Sequence, residues 1–466
     1  MKAGNGFCCV KSKRVIMGNI GKTIMYFKRN GIKNTAYAVL ERLQEKKKTA
    51  YTYMEPDEDE LQKQREAHFA FEPLISVLVP CYETKPVFLE DLVLSLQDQT
   101  YTKFEIVLAD ASKSTDVMRV AGSLAEQYGN IVYHRLDSNE GISENTNKGL
   151  LSCSGDYIGL LDHDDLLTKD ALYQVVKAIN DTKKDKIDPI LIYSDEDKTD
   201  TYLETYYEPH RKLKFNEDLI LTNNYICHFS VYDAWTIKKL MLRKDYDGAQ
   251  DFDLVLRTIS YVKKEYGKQW RDSIVHIPEI IYHWRCHKES TASNPESKNY
   301  AYINGGRAIE DFLTQNGIEA SVQPLKHLGF YRVEYKDGVF AQRSDIGAIG
   351  GPVVYKNKII SGALNGKGQP LFENLNIHFS GYMHRAALQQ SVSVLDIRNI
   401  QIRPEYEDLF KETTGYSYPI KLSDEMLGEE KNHEFIKKSI IFCNKLKNKG
   451  INLLYDPEFC AAEDDK

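Results

Sequence analysis

Along residues 75 to 179, short apolar runs alternate with segments whose apolar residues recur every three or four positions. ISVLVP (75–80), FEIVLADAS (104–112), IVYHRL (131–136) and YIGLL (157–161) are nearly continuous apolar runs rich in β-branched residues. That is the pattern of strands covered on both faces. Between them FLEDLVLSLQDQ (88–99), VMRVAGSLAEQY (117–128) and ISENTNKGLLSCSG (142–155) carry helical spacing, with Leu89, Leu92, Val93 and Leu96 on one face of the first. Strand and helix in alternation predict an α/β fold with a mostly parallel sheet and right-handed crossovers. The polar residues collect where the strands end: Glu83, Asp110, Asn139-Glu140-Gly141, Asp162 and Asp164. Ligands of open α/β sheets bind there, outside the carboxyl ends of the strands.

The stretch from 157 to 179 organises the rest. Its apolar run stops at Asp162-His163-Asp164-Asp165, and Ala171, Leu172, Val175, Val176 and Ile179 follow at helical spacing. Thr168 is placed to cap that helix, with Asp170 in its first turn. Carboxylates at this point can hold a hard divalent cation against a phosphate, although Asp-x-Asp alone is a common solvated turn. An EF-hand is excluded, since its central Gly and terminal Glu are missing. No G-x-G-x-x-G follows the first strand, and Gly21-Lys22-Thr23 has Ile16 where a P-loop needs its first glycine. A diphosphate would therefore be held through a metal.

ISVLVPCYE, VLADAS, NEGISENTNKGL and GDYIGLLDHDD, in this order, closely resemble the family 2 glycosyltransferases over about residues 74–335. The resemblance implies the GT-A nucleotide-diphospho-sugar transferase fold and a metal-dependent, inverting transfer from a nucleotide-diphospho-sugar donor, UDP- or dTDP-linked rather than GDP-linked. It implies that Glu83 and Asp110 contact base and ribose, and that Asn145 and Lys148 border the donor pocket. Asp162 and Asp164 would place Mg²⁺ or Mn²⁺ against the diphosphate. Asp251 stands at the last position of the family's Glu-Asp motif, with Gln250 before it, and would be the base; an Asp there can also cap the following helix. In IVHIPEIIYHWRCHKESTA (274–292), His283 and His287 would complete the metal site or touch the diphosphate, with Arg285 and Lys288 as charge partners. Ser194 to Lys198, following the strand ILIYS, could bind acceptor hydroxyls but reads first as a solvated acidic turn.

Residues 1–72 read as a basic amphipathic helical extension and linker, 73–335 as the transferase domain, and 336–466 as a smaller, degenerate and noncatalytic GT-A-like half-domain. In that last part 346–364 and 447–459 resemble pieces of a second family 2 domain, without strands enough to close a sheet alone; packing on the first unit or a homo-oligomer contact is expected. The net charge of -7 argues against a nucleic-acid binder. It hides twelve Lys or Arg against two acids in the first fifty residues. A basic segment such as 12–49 can lie on an anionic membrane surface, or pack on its own domain. Eight cysteines without C-x-x-C spacing, and no apolar run near the roughly 20 residues of a membrane span, suggest a cytoplasmic protein, peripheral on the inner membrane face. The family often builds bacterial surface polysaccharides on lipid carriers, so a glycan or lipid-linked acceptor is expected. The alternative is a noncatalytic nucleotide-sugar or glycan-binding partner of another transferase.

Overall fold

A computed structural model describes residues 8–45, 51–287 and 299–461. The chain divides into two compact units, one of Tyr51–Pro324 with Tyr331–Gln342, the other of Met1–Ala50, Leu325–Phe330 and Arg343–Lys466.

The first unit is built on a nine-stranded sheet of β1 (Ile75–Cys81), β2 (Phe104–Asp110), β3 (Ile131–Arg135), β4 (Tyr157–Leu160), β5 (Leu166–Leu167), β6 (Leu191–Asp200), β7 (Tyr206–His210), β8 (Ser230–Asp233) and β9 (Ile274–Cys286). In space the order is β3-β2-β1-β4-β8-β6-β9-β5, with β7 on β6. The run β3-β2-β1-β4 is parallel, as strand–helix alternation predicts. Beyond it the sheet is mixed: β8 is antiparallel to β4 and β6, and β6 is parallel to β9. This is the α/β architecture expected of the segment. Helices Pro86–Gln97, Asp116–Gln127 and Ala171–Lys184 bury Leu89, Leu92, Val93, Val117, Val120, Val175 and Val176 in a core with Val77, Val79, Ile106 and Leu108. Each buried Leu, Ile or Val contributes roughly 1.5–3 kcal/mol, so this core fixes where the strand ends lie. One local expectation fails. The helix after the acidic turn has Asp170, not Thr168, at its cap position, and the Thr168 hydroxyl bonds Asp170 at 2.7 Å instead of a free backbone N–H.

The other unit has the helical segment Cys8–Glu45, broken at Gly31 where φ is 75°. Contrary to the expected shortage of strands, its C-terminal part closes a four-stranded sheet. Ile346–Gly350 lies parallel to Asn452–Tyr455 and antiparallel to Ile400–Ile402, and Gln390–Ser391 forms an edge. Helices Glu407–Thr414 and Glu429–Lys447 cover it with Phe410, Phe435 and Phe442, all fully buried.

Candidate active site

Between β4 and β5 the chain makes the turn 161–165, and β5 pairs antiparallel with β9 in the register Leu166–His283. The acidic turn is thereby laid beside the end of β9. Asp165 anchors it: fully buried, it accepts hydrogen bonds from the Tyr282 hydroxyl and from Arg285 N (2.7 Å). Burial, with Asp164 and Asp162 close by, pushes its carboxyl well above the usual range, so this member of the turn is structural. Asp162 is exposed, and its side chain has no hydrogen-bond partner among the described residues. Asp164 is half-buried and accepts from His287 Nε2 at 2.7 Å.

The donor chemistry of this turn fits Mg²⁺ or Mn²⁺ of one kind only. Among the described residues no three His, Cys, Asp or Glu side chains converge as a complete protein cage. Two carboxylates on one turn suit a cation that keeps waters and takes its remaining ligands from substrate phosphate. The two histidines expected near this site separate. His283 Nδ1 lies 2.5 Å from Asp197 on β6, and its ring packs against Tyr53 and Tyr206 with centroids 4.6 and 4.5 Å away. It is engaged away from Asp164, and the histidine that reaches the acidic turn is His287. Arg285 is buried over Phe88 and bonds Asp91 at 2.9 Å; Lys288 lies outside the described residues.

Opposite stands Asp251, the second residue of the helix Gln250–Glu265. It is not the cap, a position occupied by Ala249. Asn224 Nδ2 donates to its Oδ2 at 2.8 Å. Burial raises its carboxyl above the usual range, His228 opposes that rise and Asp162 adds to it. Asp251 and Asp162, from segments almost ninety residues apart, thus lie close enough to feel each other's charge, and Asp251 that of His228 as well.

His228 is the residue that sequence reasoning missed. Its backbone N and its Nδ1 both face Glu196 Oε2, the ring at 3.3 Å, and the ring stacks on Tyr282 at 5.2 Å and 9°. Burial alone would lower its pKa, but Glu196, then Asp162 and Asp165, raise it to about 9, so it is an imidazolium at neutral pH. Glu196 belongs to the stretch expected to be a solvated turn, and that reading is corrected: Ser194, Asp195, Glu196 and Asp197 all lie buried within β6. Every one of these carboxylates is matched. Asp195 meets His276 at 2.8 Å, Asp197 meets Tyr51 at 2.7 Å, and Glu196 meets Lys212 at 3.1 Å. Lys212 Nζ also donates to the carbonyls of Ile226, Cys227 and His228 at 3.1, 2.8 and 2.9 Å, tying the His228 backbone to β6. The only available signal was the histidine and carboxylate content of 194–228, which does not reveal pairings made across strands.

The remaining expected residues are braced among themselves. Glu83, at φ 50°, is exposed and accepts from Lys113 N and Ser114 N at 2.6 and 3.2 Å. Hydrogen bonds from Ser114 and Lys113 hold its carboxyl below the usual range. Asp110 is buried at the end of β2. Burial would raise its pKa, but Ser112, Tyr133 (2.8 Å) and Arg135 (2.6 Å) hold it low. Asn145 bonds Asn139 at 2.8 Å and Lys148 bonds Glu140 at 2.6 Å, so both fasten the turn 139–141. Gly141, at φ 102°, permits that turn, since a Cβ there would strike the Asp247 carboxylate.

Residues 76–241 match the profile "Glycosyl transferase family 2". Among curated relatives, uncharacterized protein y4gI of Sinorhizobium fredii is 37% identical over 52% of this chain and 26% of its own length. The O-antigen biosynthesis protein RfbC of Myxococcus xanthus is 30% identical over 58% of this chain and 20% of its own. The chain therefore spans about a quarter or less of these relatives. The solved S. aureus TarS 1–349 in complex with UDP is 16% identical over 52% of this chain and 71% of that one, at a TM-score of 0.37.

Proposed function

We propose, on the premise that residues 76–241 make this chain a member of glycosyltransferase family 2, that it moves a sugar from a nucleotide-diphospho-sugar to a glycan acceptor. The observation that carries the reading is that His228, stacked on the Tyr282 whose hydroxyl bonds Asp165 of the acidic turn, brings that turn close enough for Asp162 and Asp251 to act on each other's charge. Asp162 and Asp164, with His287 behind the latter, would hold Mg²⁺ or Mn²⁺; bound there, the cation neutralises the donor diphosphate and makes it a better leaving group. Asp251 accepts the proton of the acceptor hydroxyl as that oxygen bonds to the anomeric carbon and the carbon–oxygen bond to the diphosphate breaks. A single displacement of this kind inverts the anomeric centre. Its raised pKa makes Asp251 a stronger base than a solvated aspartate, and Asn224 fixes which oxygen faces the acceptor. His228 supplies a fixed positive charge among three carboxylates, favouring an anionic leaving group there.

Relatives such as RfbC support a bacterial surface glycan as product. The break at Gly31 separates a second helical stretch that exposes Ile32, Val39, Leu40 and Leu43 beside Lys33 and Arg42. With residues 12–49 basic overall, this favours peripheral contact with an anionic membrane, where such acceptors on lipid carriers reside. No helix among the described residues is long and apolar enough to cross a membrane.

The test is a thermal shift and donor-hydrolysis panel of UDP-, dTDP- and GDP-sugars, with and without Mn²⁺, on wild type and Asp164→Ala. Metal-dependent stabilisation by one nucleotide class, with hydrolysis lost in the variant, is expected. If no donor shifts the wild type, or binding ignores both metal and Asp164, the site is not a transferase centre and a noncatalytic binding partner is the better description.

A further inference from the structure

The helix Ile142–Leu150 buries Ser143, Asn145, Thr146 and Asn147. Buried polar groups take partners, and theirs fall into two sets. Asn145 and Thr146 bond nearby in sequence, Asn145 to Asn139 Oδ1 (2.8 Å) and Glu140 N (3.1 Å), Thr146 to the Ile142 carbonyl (2.7 Å). Ser143 and Asn147, one helical turn apart and so on one face, reach a segment 95 to 104 residues further along. Asn147 exchanges two hydrogen bonds with the backbone of Leu242, at 2.8 and 2.9 Å, and the Ser143 hydroxyl donates to the Arg243 carbonyl at 3.2 Å. Asp247 completes the seam. The cap position of this helix is Gly141, which has no side chain to offer its free N–H groups. Asp247 Oδ1 accepts from Ser143 N at 3.2 Å instead, a carboxylate at the end of the helix where negative charge is favourable.

Asp247 also stands four residues before Asp251, and the chain between them is held. The Asp247 carbonyl accepts from Asn304 Nδ2 at 3.0 Å. Gln250, found where the family's motif has Glu, accepts from Gly248 N with its side-chain oxygen at 2.7 Å, and the Ala249 carbonyl accepts from Asp253 N at 3.0 Å. The helix that Asp247 caps in turn fastens the turn 139–141, through Asn145 and Lys148. One carboxylate therefore joins the turn beside which the donor would lie to the helix that carries the candidate base. We infer that Asp247 is a positioning residue: by capping Ile142–Leu150 it sets where Asp251 stands relative to a bound nucleotide-sugar. The inference rests on the transferase reading, which gives Asp251 its role. Misplacing a reacting group by about 1 Å costs on the order of 10²-fold in rate. Donor binding is spared, because the turn 139–141 keeps its own bonds to Asn145 and Lys148.

Hydrolysis of whichever UDP-, dTDP- or GDP-sugar stabilises the wild type, with Mn²⁺ and with water in place of the acceptor, tests this on the full chain carrying Asp247→Ala, Asp251→Asn or both. Asp247→Ala is expected to lower kcat by about 10- to 100-fold, with KM for the nucleotide-sugar within about twofold of wild type. Added to Asp251→Asn it should cost nothing more, because it acts through that carboxylate. Hydrogen exchange of the free chain gives a second readout: Asp247→Ala should speed exchange in 142–146 and in 249–254 together, and leave Phe104–Asp110 unchanged. Asp247→Asn, which keeps an oxygen for Ser143 N, should show the same pattern at smaller size, and stands in if Asp247→Ala does not fold. The inference is overturned if kcat is unchanged, if the loss falls on KM, if the two substitutions add in full, or if exchange rises in one segment alone. The two readings fail differently. A wild type that hydrolyses no nucleotide-sugar removes the transferase reading and this inference with it, whereas a hydrolysing wild type matched by Asp247→Ala overturns the inference alone.

Discussion

At the scale of single residues, charge does most of the work. Asp251→Asn keeps the shape and the Asn224 contact but cannot take a proton; transfer should fall by roughly 10²- to 10⁴-fold while the nucleotide still raises the melting temperature. Single-turnover transfer beside a thermal shift checks this, and an equal loss of nucleotide binding would make Asp251 a binding residue instead. The pH profile should follow the same two groups. Its acid limb belongs to Asp251, raised above the ordinary aspartate value, and its alkaline limb to His228, raised to about 9. His228→Asn should remove the alkaline limb. The sign for stability follows from linkage. His228 binds its proton more tightly folded than unfolded, where its pKa is about 6.5, so its contribution is complete below that value. It is lost as pH rises through about 9. The wild type should therefore lose more melting temperature between pH 7 and pH 10 than His228→Asn does.

At the scale of elements, the site depends on two supports that take no part in the chemistry themselves. Lys212 neutralises Glu196 and holds three consecutive carbonyls with a fully buried ammonium. Removing one partner of such a buried pair costs about 3–5 kcal/mol, so Lys212→Met should lower the urea midpoint strongly, and a loss under 1 kcal/mol would show that the pair is not a support. The second is the helix Ile142–Leu150 on β1 and β2. Gly149 faces the sheet, where a Cβ would come 2.5 Å from Leu78 Cδ1 and 2.9 Å from the Ala109 Cβ. Alanine improves helix propensity by about 0.8–1.0 kcal/mol, but overpacking costs about 1–3 kcal/mol. Packing should win, and Gly149→Ala should be destabilised in chemical denaturation rather than stabilised.

For the molecule as a whole, the two units have separate cores, one centred on Val77, Ile106 and Val175, the other on Phe410, Phe435 and Phe442. Scanning calorimetry should resolve two transitions. A nucleoside diphosphate with Mn²⁺ should raise only that of the sheet-bearing unit with the acidic turn, because a ligand stabilises what it binds. A single transition shifted as one would mean that the units unfold cooperatively.

Local pattern alone was enough for the strand that ends in Asp110, for the strand Tyr157–Leu160 that runs into the acidic turn and for the helices between them. A strand, a turn and an amphipathic helix are encoded by adjacent residues, and a carboxylate at a strand's end announces itself. The position of Asp251 was legible through its motif, although its place as second residue of the helix rather than its cap was not. Tertiary structure alone decided which histidine meets Asp164, because that follows from the register of β5 on β9. It also decided that Ser194 to Asp197 form a buried strand. An acidic run reads as solvated unless its partners are known, and these are His276, His283, Tyr51 and Lys212, brought in by β9 and by segments far along the chain. The charge on His228 is of the same kind: a sum over carboxylates from two separate segments, the acidic turn and β6, which no local string contains.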